Sequence, residues 1–198
     1  MICKKVAVLV AGSWGTALAS VLADNHCEVF LWSRNPAQVD EMNRERQNSK
    51  YLPGVTLSPR IRATCSLEEA VTNAKAIVLV SPSAAVREIA SRLRPLIHPG
   101  ILLIHAVKGF ETRTQKRMSE VIAEEIPEIG QGSVVVLSGP SHAEEVALRS
   151  PTTVVVASHD MDKAKAAQDL FINSYFRVYT NPDVVGVEVG GALKNIIA

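Results

Sequence analysis

The sequence predicts an α/β fold whose core is a doubly wound, mostly parallel β-sheet. Two observations predict it. Short apolar runs rich in β-branched residues alternate with stretches of helical periodicity along nearly the whole chain. The runs carry almost no charge, as expected of strands that are buried on both faces. Regular strand–helix alternation implies right-handed crossovers between parallel strands.

The predicted strands are the short apolar runs. In chain order they span residues 6–10, 29–32, 61–64, 76–80, 101–105, 134–137, 153–157 and 176–179. Sequence signals for turns or helices separate each run from the next. No internal repeat and no low-complexity segment interrupts this order.

The predicted helices are recognised by apolar spacing and by signals at their ends. Pro36 suits the first position of a helix, and Ser66 and Glu69 have the spacing of a capping box. Ser81 and Pro82 end one strand and open the following helix. The helices are expected at 14–23, 36–46, shortly after Ser66, at 83–93, 114–126, up to 148, 161–171 and 182–198.

Composition limits the classes of function. The chain has 198 residues, of which 47% are hydrophobic and 21% charged, and a net charge of +1. Such usage argues against disorder, and the basic excess of a dedicated nucleic-acid binder is missing. An anion site must therefore be built from a few positioned donors.

Cysteine usage and hydropathy indicate the compartment. Cys3, Cys27 and Cys65 are odd in number and lack metal-binding spacing, so a disulfide framework is not expected and a reducing compartment fits better. No apolar run approaches the ~18 residues of a membrane span. The five histidines also show no metal spacing. We expect a cytoplasmic protein without a metal.

The turn after the first strand carries the main functional motif. It reads Val10-Ala11-Gly12-Ser13-Trp14-Gly15. Aligned on the G-x-G-x-x-G fingerprint, Gly12 lets the backbone approach a pyrophosphate and Gly15 lets the helix pack on the strand. The strand before and the helix after are the required context. The motif predicts a Rossmann-type dinucleotide site, although a plain strand–helix turn would also use these glycines.

Val10 replaces the first glycine of the fingerprint. If its φ is negative, valine fits with some crowding; if φ is positive, valine is strongly disfavoured. We therefore expect Val10 to weaken cofactor binding relative to glycine.

The end of the second strand indicates which nicotinamide cofactor is preferred. NAD-binding proteins commonly place an acid there to hold the ribose 2′-hydroxyl. This chain has Arg34 instead, and its planar guanidinium suits a 2′-phosphate. The prediction is NADP(H) in preference to NAD(H), although a solvated arginine is the alternative.

Five motifs in order resemble the bacterial-type NAD(P)H-dependent glycerol-3-phosphate dehydrogenases. The resemblance covers nearly the whole chain and implies reduction of dihydroxyacetone phosphate to sn-glycerol 3-phosphate for phospholipid synthesis. The motifs are Gly12-Ser13-Trp14-Gly15-Thr16-Ala17-Leu18-Ala19, Trp32-Ser33-Arg34, Lys108-Gly109, Ser138-Gly139-Pro140-Ser141 with Ala143-Glu144, and Gly190-Gly191-Ala192-Leu193-Lys194-Asn195.

The family continues into a helical domain after the point where this sequence stops. We therefore expect a dinucleotide-binding domain over residues 1–181 and the start of a truncated helical substrate domain over 182–198. That missing domain would carry further contacts to substrate and cofactor. The chain alone is expected to be weakly active or inactive, because substrate would be held on one side only. The full-length protein is a candidate homodimer.

Lys194 is the predicted catalytic residue. Hydride addition to a ketone creates negative charge on oxygen, and a lysine whose pKa is lowered by burial or by nearby cations can donate the proton. Gly190 and Gly191 precede it by one helical turn and are expected to leave room for substrate. The resemblance implies the same role and makes Lys194 a substrate-binding residue as well.

Other candidate residues lie near strand ends. Lys108 follows the fifth strand, where ligands bind in open α/β sheets, and is expected to contact both substrate and cofactor. Gly139 and Ser141 follow the sixth strand as substrate-binding candidates, with Ser141 also a possible helix cap. The resemblance implies that Ser13, Trp14, Tyr51 and Ala143 contact the cofactor, in addition to Gly12 and Gly15.

Two alternatives remain open. A related hydroxyacid or keto-acid reductase would use the same lysine but would need carboxylate-binding residues in place of phosphate-binding ones. A non-catalytic nucleotide-binding fragment would fold and turn nothing over.

Overall fold

The fold is an eight-stranded sheet flanked by eight helices in a computed structural model that describes residues 5–98, 100–130 and 132–197, apart from the side chains of 194–197. The strands are β1 Lys5–Leu9, β2 Glu28–Trp32, β3 Ile61–Thr64, β4 Ala76–Leu79, β5 Leu102–His105, β6 Val135–Ser138, β7 Thr152–Ala157 and β8 Phe176–Asn181. The helices are α1 Ser13–Asp24, α2 Pro36–Arg44, α3 Leu67–Val71, α4 Val86–Leu93, α5 Met118–Glu125, α6 Ala143–Ala147, α7 Met161–Phe171 and α8 Val184–Ile197.

The sheet has the order β3-β2-β1-β4-β5-β6-β7-β8. All neighbouring strands run parallel except β6 and β7, which are antiparallel. The predicted doubly wound, mostly parallel sheet is confirmed. Because the chain leaves β1 toward β2 on one side and β4 lies on the other, the carboxyl ends of β1 and β4 border the crevice where such folds bind ligands.

Side chains of the central strands alternate between two apolar layers. On β1, Val6 and Val8 join the layer that includes residues of α1, α6 and α7. Ala7 and Leu9 join the layer formed with α3, α4 and α5. All four side chains are fully buried, which explains why the strand has no polar alternation.

Helix ends account for most differences from the predicted boundaries. The helix α2 stops at Arg44, two residues early, and Arg46 has φ +56°. The helix predicted from residue 114 begins at Met118, because Gln115 has φ +60°, which an α-helix excludes. The helix predicted from residue 83 starts as a 3₁₀ turn over Ser83–Ala85.

The capping box predicted at the start of α3 is half formed. The hydroxyl of Ser66 accepts a hydrogen bond from the Glu69 amide at 3.1 Å. The Glu69 carboxylate instead accepts from the hydroxyl of Thr64 and pairs with Arg62.

In the part of the chain that the structure describes, no helix is both long and apolar enough to cross a membrane.

Candidate functional site

A cleft of about 610 Å³ opens at the carboxyl ends of β1 and β4. Its position is the one expected for ligands in a doubly wound sheet. Seven residues predicted to bind a cofactor line it together. They are Gly12, Ser13, Trp14, Gly15, Arg34, Tyr51 and Lys108.

The two glycines of the loop serve different purposes. No atom lies within 4 Å of a Cβ built on Gly12, so the backbone there is open to the cleft. A Cβ on Gly15 would overlap the carbonyl oxygen of Val10. Gly12 therefore leaves space for a ligand, and Gly15 allows α1 to pack against the end of β1.

Val10 adopts φ +82°, the conformation in which valine is disfavoured. The strand predicted to include it ends at Leu9. The Val10 amide donates to the carbonyl oxygen of Trp32 at 3.0 Å, which fixes the residue between β1 and β2. A β-branched side chain in the left-handed region typically costs ~1–3 kcal/mol, so the loop is strained here.

A buried polar network, which the sequence did not indicate, supports the loop. The carbonyl oxygen of Ala11 accepts from Gln38 Nε2 at 2.7 Å and from Asn48 Nδ2 at 3.0 Å. Asn48 Nδ2 also donates to Thr16 Oγ1 at 2.7 Å. Because Asn48 is fully buried, these hydrogen bonds hold the backbone of the glycine turn from the interior of the protein. A polar residue in a loop resembles a surface residue in the sequence, which is why this one was missed.

Side chains around the glycine loop connect it to other parts of the wall. Ser13 Oγ donates to the carbonyl oxygen of Tyr51 at 2.6 Å. Lys108 Nζ lies 5.8 Å from the ring centroid of Trp14, within cation–π range. The contact brings a positive charge from the loop after β5 to the glycine loop.

Arg34 lies at the end of the cleft beyond β2. Its Nη1 is 3.5 Å from both carboxylate oxygens of Glu88 on α4, and about half of each side chain is exposed. Such an exposed pair contributes only ~0–1 kcal/mol, so the arginine can exchange this partner for a ligand.

Gly139 and Ser141, the candidate substrate-binding residues after β6, do not line this cleft, and neither does Ala143. A Cβ on Gly139 would lie 3.0 Å from the carbonyl oxygen of Thr153, so Gly139 allows close packing of β6 on β7. Ser141 was expected to cap α6. That expectation is wrong: the N-cap is His142, and the Ser141 hydroxyl is buried without a hydrogen-bond partner among the described residues.

The helix α8 carries Lys194, whose side chain lies outside the described residues. A Cβ on Gly191 would lie 2.5 Å from Ser138 Oγ, whereas one on Gly190 meets nothing within 4 Å. The expectation that both glycines leave room for substrate is therefore corrected for Gly191, which allows α8 to pack on the carboxyl end of β6.

Glu188 connects α8 to the start of α5 and lies beside His105 of β5. Its carboxylate accepts from the amide and hydroxyl of Ser119 at 2.9 and 2.6 Å and from Arg117 at 2.9 Å, and lies 3.3 Å from His105 Nε2. Burial would raise the pKa of Glu188, but the interactions with His105 and Ser119 outweigh it and lower that pKa to about 2. The sequence had shown only one acid in an apolar helix.

Metal ligands are not grouped in the described ranges 5–98, 100–130 and 132–197. No set of three or more His, Cys, Asp and Glu side chains there is arranged to hold an ion. Within those ranges Cys27 is buried, and Cys65 is an exposed free thiol.

Comparison with known proteins agrees with this geometry. The family model described as the N-terminus of NAD-dependent glycerol-3-phosphate dehydrogenase matches residues 5–164. A glycerol-3-phosphate dehydrogenase of the NAD(P)+ type from Bacillus cereus strain B4264 is 57% identical over 194 residues, which are 98% of this chain and 57% of that protein. A relative from Bacillus cytotoxicus is 56% identical over the same coverage.

Solved structures give the same result. The crystal structure of glycerol-3-phosphate dehydrogenase from Coxiella burnetii superposes with a TM-score of 0.91 at 39% identity, covering 98% of this chain and 59% of that one. A pyrroline-5-carboxylate reductase from the same organism shares the fold at 13% identity and a TM-score of 0.68. This chain thus spans 57% of the curated relatives' length, and it belongs to the family of N-terminal domains of NAD-dependent glycerol-3-phosphate dehydrogenase.

Proposed function

We propose that this chain is the cofactor-binding half of an NAD(P)H-dependent glycerol-3-phosphate dehydrogenase. The reaction is reduction of dihydroxyacetone phosphate to sn-glycerol 3-phosphate, a phospholipid precursor. The observation that carries the proposal is the bare backbone of Gly12, which faces an open cleft at the end of β1.

The residues present fit a dinucleotide. At the start of α1 no described side chain caps the helix, so its first N–H groups would be able to bind an anion. Gly12 leaves room for the pyrophosphate, and Lys108 adds a positive charge near Trp14. Ser13 and Trp14 would contact the phosphates, and Tyr51 the adenosine side.

Arg34 supports a preference for NADP(H) over NAD(H). It lines the cleft just past the end of β2, where a ribose 2′-phosphate is recognised in this type of fold. Its guanidinium can donate two parallel hydrogen bonds to the oxygens of a phosphate. NAD(H) would bind through the remaining contacts.

The proposed chemistry divides the work between two lysines. The cofactor held by the glycine loop and Arg34 would, when bound in its reduced form, supply the hydride. Lys194 gives a proton to the substrate oxygen as negative charge develops there. Lys108 is proposed to hold that side of the substrate, at the carboxyl end of the sheet where ligands bind in such folds. Gly139 and Ser141 are proposed to contact the substrate, and the Ala143 backbone the cofactor.

The wider organisation is part of the same proposal. We propose that residues 1–181 are the dinucleotide-binding domain and that 182–198 begin a helical substrate domain. That domain would complete the binding site for the substrate phosphate. The whole enzyme is proposed to act in the cytoplasm, since the odd number and the spacing of its cysteines do not suggest a disulfide framework, and to form a homodimer. No metal is needed for this chemistry.

A chimeric protein that adds the C-terminal part of a relative to this chain tests the proposal. The chain is joined at residue 198 to the corresponding C-terminal part of the Bacillus cereus protein. We expect NADPH oxidation that depends on dihydroxyacetone phosphate, and Lys194→Met to lower kcat by about 10²–10⁴-fold with NADPH affinity retained. Lys165→Met, on the exposed side of α7, is the control. A folded protein that binds NADPH and reduces a different ketone instead contradicts the substrate assignment.

A further inference from the structure

Glu88 lies between two arginines at the end of the cleft. Its carboxylate is 3.5 Å from Arg34 Nη1 and 3.6 Å from Arg92 Nη1. All three side chains are about half exposed. We call this row of alternating charges the Arg34–Glu88–Arg92 row.

The row borders the part of the cleft beyond β2. Arg34 and Trp32 both line the cleft, and so does Ala85, which precedes Glu88 by three residues. The guanidinium of Arg92 lies 5.5 Å from the Trp32 ring centroid. The Glu88 carboxylate therefore lies beside Arg34, the arginine proposed to hold the ribose 2′-phosphate.

Charge decides what this carboxylate does to a ligand. A ribose 2′-phosphate carries about two negative charges at neutral pH, by analogy with other phosphomonoesters. To bind Arg34 it must displace Glu88 and remain near a like charge. A ribose 2′-hydroxyl has no charge and meets neither obstacle. With Glu88 the row has a net charge of one positive unit; without it, two.

We propose that Glu88 is a specificity-determining residue that lowers the affinity for NADPH relative to NADH. The inference rests on the proposed function, because it requires that the cleft bind a nicotinamide nucleotide. Arg34 attracts the 2′-phosphate, and Glu88 opposes it by occupying the same guanidinium. Arg34 and Glu88 together reduce the difference in affinity between NADPH and NADH.

Fluorescence titration of the chain with NADPH and with NADH tests the inference. Glu88→Gln keeps the shape of the side chain and removes its charge. We expect the Kd for NADPH to fall about three- to fivefold at low salt, and the gain to shrink at high salt. The Kd for NADH should stay the same, which also reports that the variant is folded.

A matched pair elsewhere supplies the control. Glu128 pairs with Arg94 at 2.6 Å with similar exposure, away from the cleft. Glu128→Gln removes the same charge and should change neither Kd. An unchanged or lower preference for NADPH in Glu88→Gln overturns the inference while leaving cofactor binding intact. A chain that binds neither nucleotide overturns the proposed function as well.

Discussion

The carbonyl oxygen of Val10 lies against Gly15, so close that a Cβ at residue 15 would overlap it. This contact joins the end of β1 to the first turn of α1. It holds although Val10 itself has a strained φ of +82°. The close approach of α1 to the end of β1 is thus preserved by the third glycine of the fingerprint, Gly15, although Val10 replaces the first.

Alanine substitutions at the two loop glycines should separate packing from ligand space. Gly15→Ala places a methyl group on the Val10 carbonyl, and we expect it to lower the free energy of unfolding by about 2–4 kcal/mol. Gly12→Ala meets no atom within 4 Å and should leave stability nearly unchanged. Urea unfolding of both variants checks the contrast, which equal stabilities would refute.

Replacing Val10 by glycine should tighten cofactor binding. Glycine adopts a positive φ without the steric cost that valine has, so the binding conformation of the loop becomes easier to reach. We expect the Kd for NADPH to fall about threefold to tenfold, since relief of ~1 kcal/mol changes an equilibrium by about fivefold. Val10→Ala, which removes the β-branch but retains Cβ, should lie between. Equal affinities for all three proteins would show that valine is tolerated.

The network beneath the loop should contribute to stability. Asn48→Ala leaves the buried amide of Gln38 and the Thr16 hydroxyl with fewer partners. Unsatisfied buried groups cost about 1–3 kcal/mol, so the midpoint of urea unfolding should decrease accordingly. Ser49→Ala, at the exposed neighbouring position, is the control. If both variants unfold alike, the network does not stabilise the turn.

Acid should weaken the attachment of α8 through Glu188. The folded-state pKa is lowered to about 2 from the ordinary 4.5, so the stabilisation is complete above pH ~5 and is lost as pH falls toward 2. Such a shift corresponds to about 3 kcal/mol. Glu188→Gln lacks this dependence.

Urea unfolding at pH 7, 5, 4 and 3 compares the two proteins. The wild-type chain should lose more stability than Glu188→Gln below pH 5, so that their difference narrows. Other carboxylates titrate in both proteins and cancel in the comparison. Parallel pH profiles would mean that Glu188 is not held as an ionised group.

The sheet and the cleft were predictable because they depend on patterns local in the sequence. Apolar runs marked the strands, and Gly12 and Gly15 marked the turn. The positive φ of Val10 was not predictable, because valine disfavours it and only contacts with the neighbouring strand, such as the hydrogen bond to Trp32, hold the backbone there. Asn48 and Glu188 were missed for a related reason: their roles depend on partners such as Ala11 and Ser119, distant in sequence.

The most direct test of cofactor binding at the glycine loop is calorimetric titration of NADPH into the chain and into Gly12→Ala. The bare backbone of Gly12 is the observation on which cofactor binding rests. We predict saturable one-to-one binding to the wild-type chain and loss of measurable binding in the equally stable variant, whose methyl group fills the space for the pyrophosphate. Absence of binding to the wild-type chain, or equal affinity in both proteins, would contradict it.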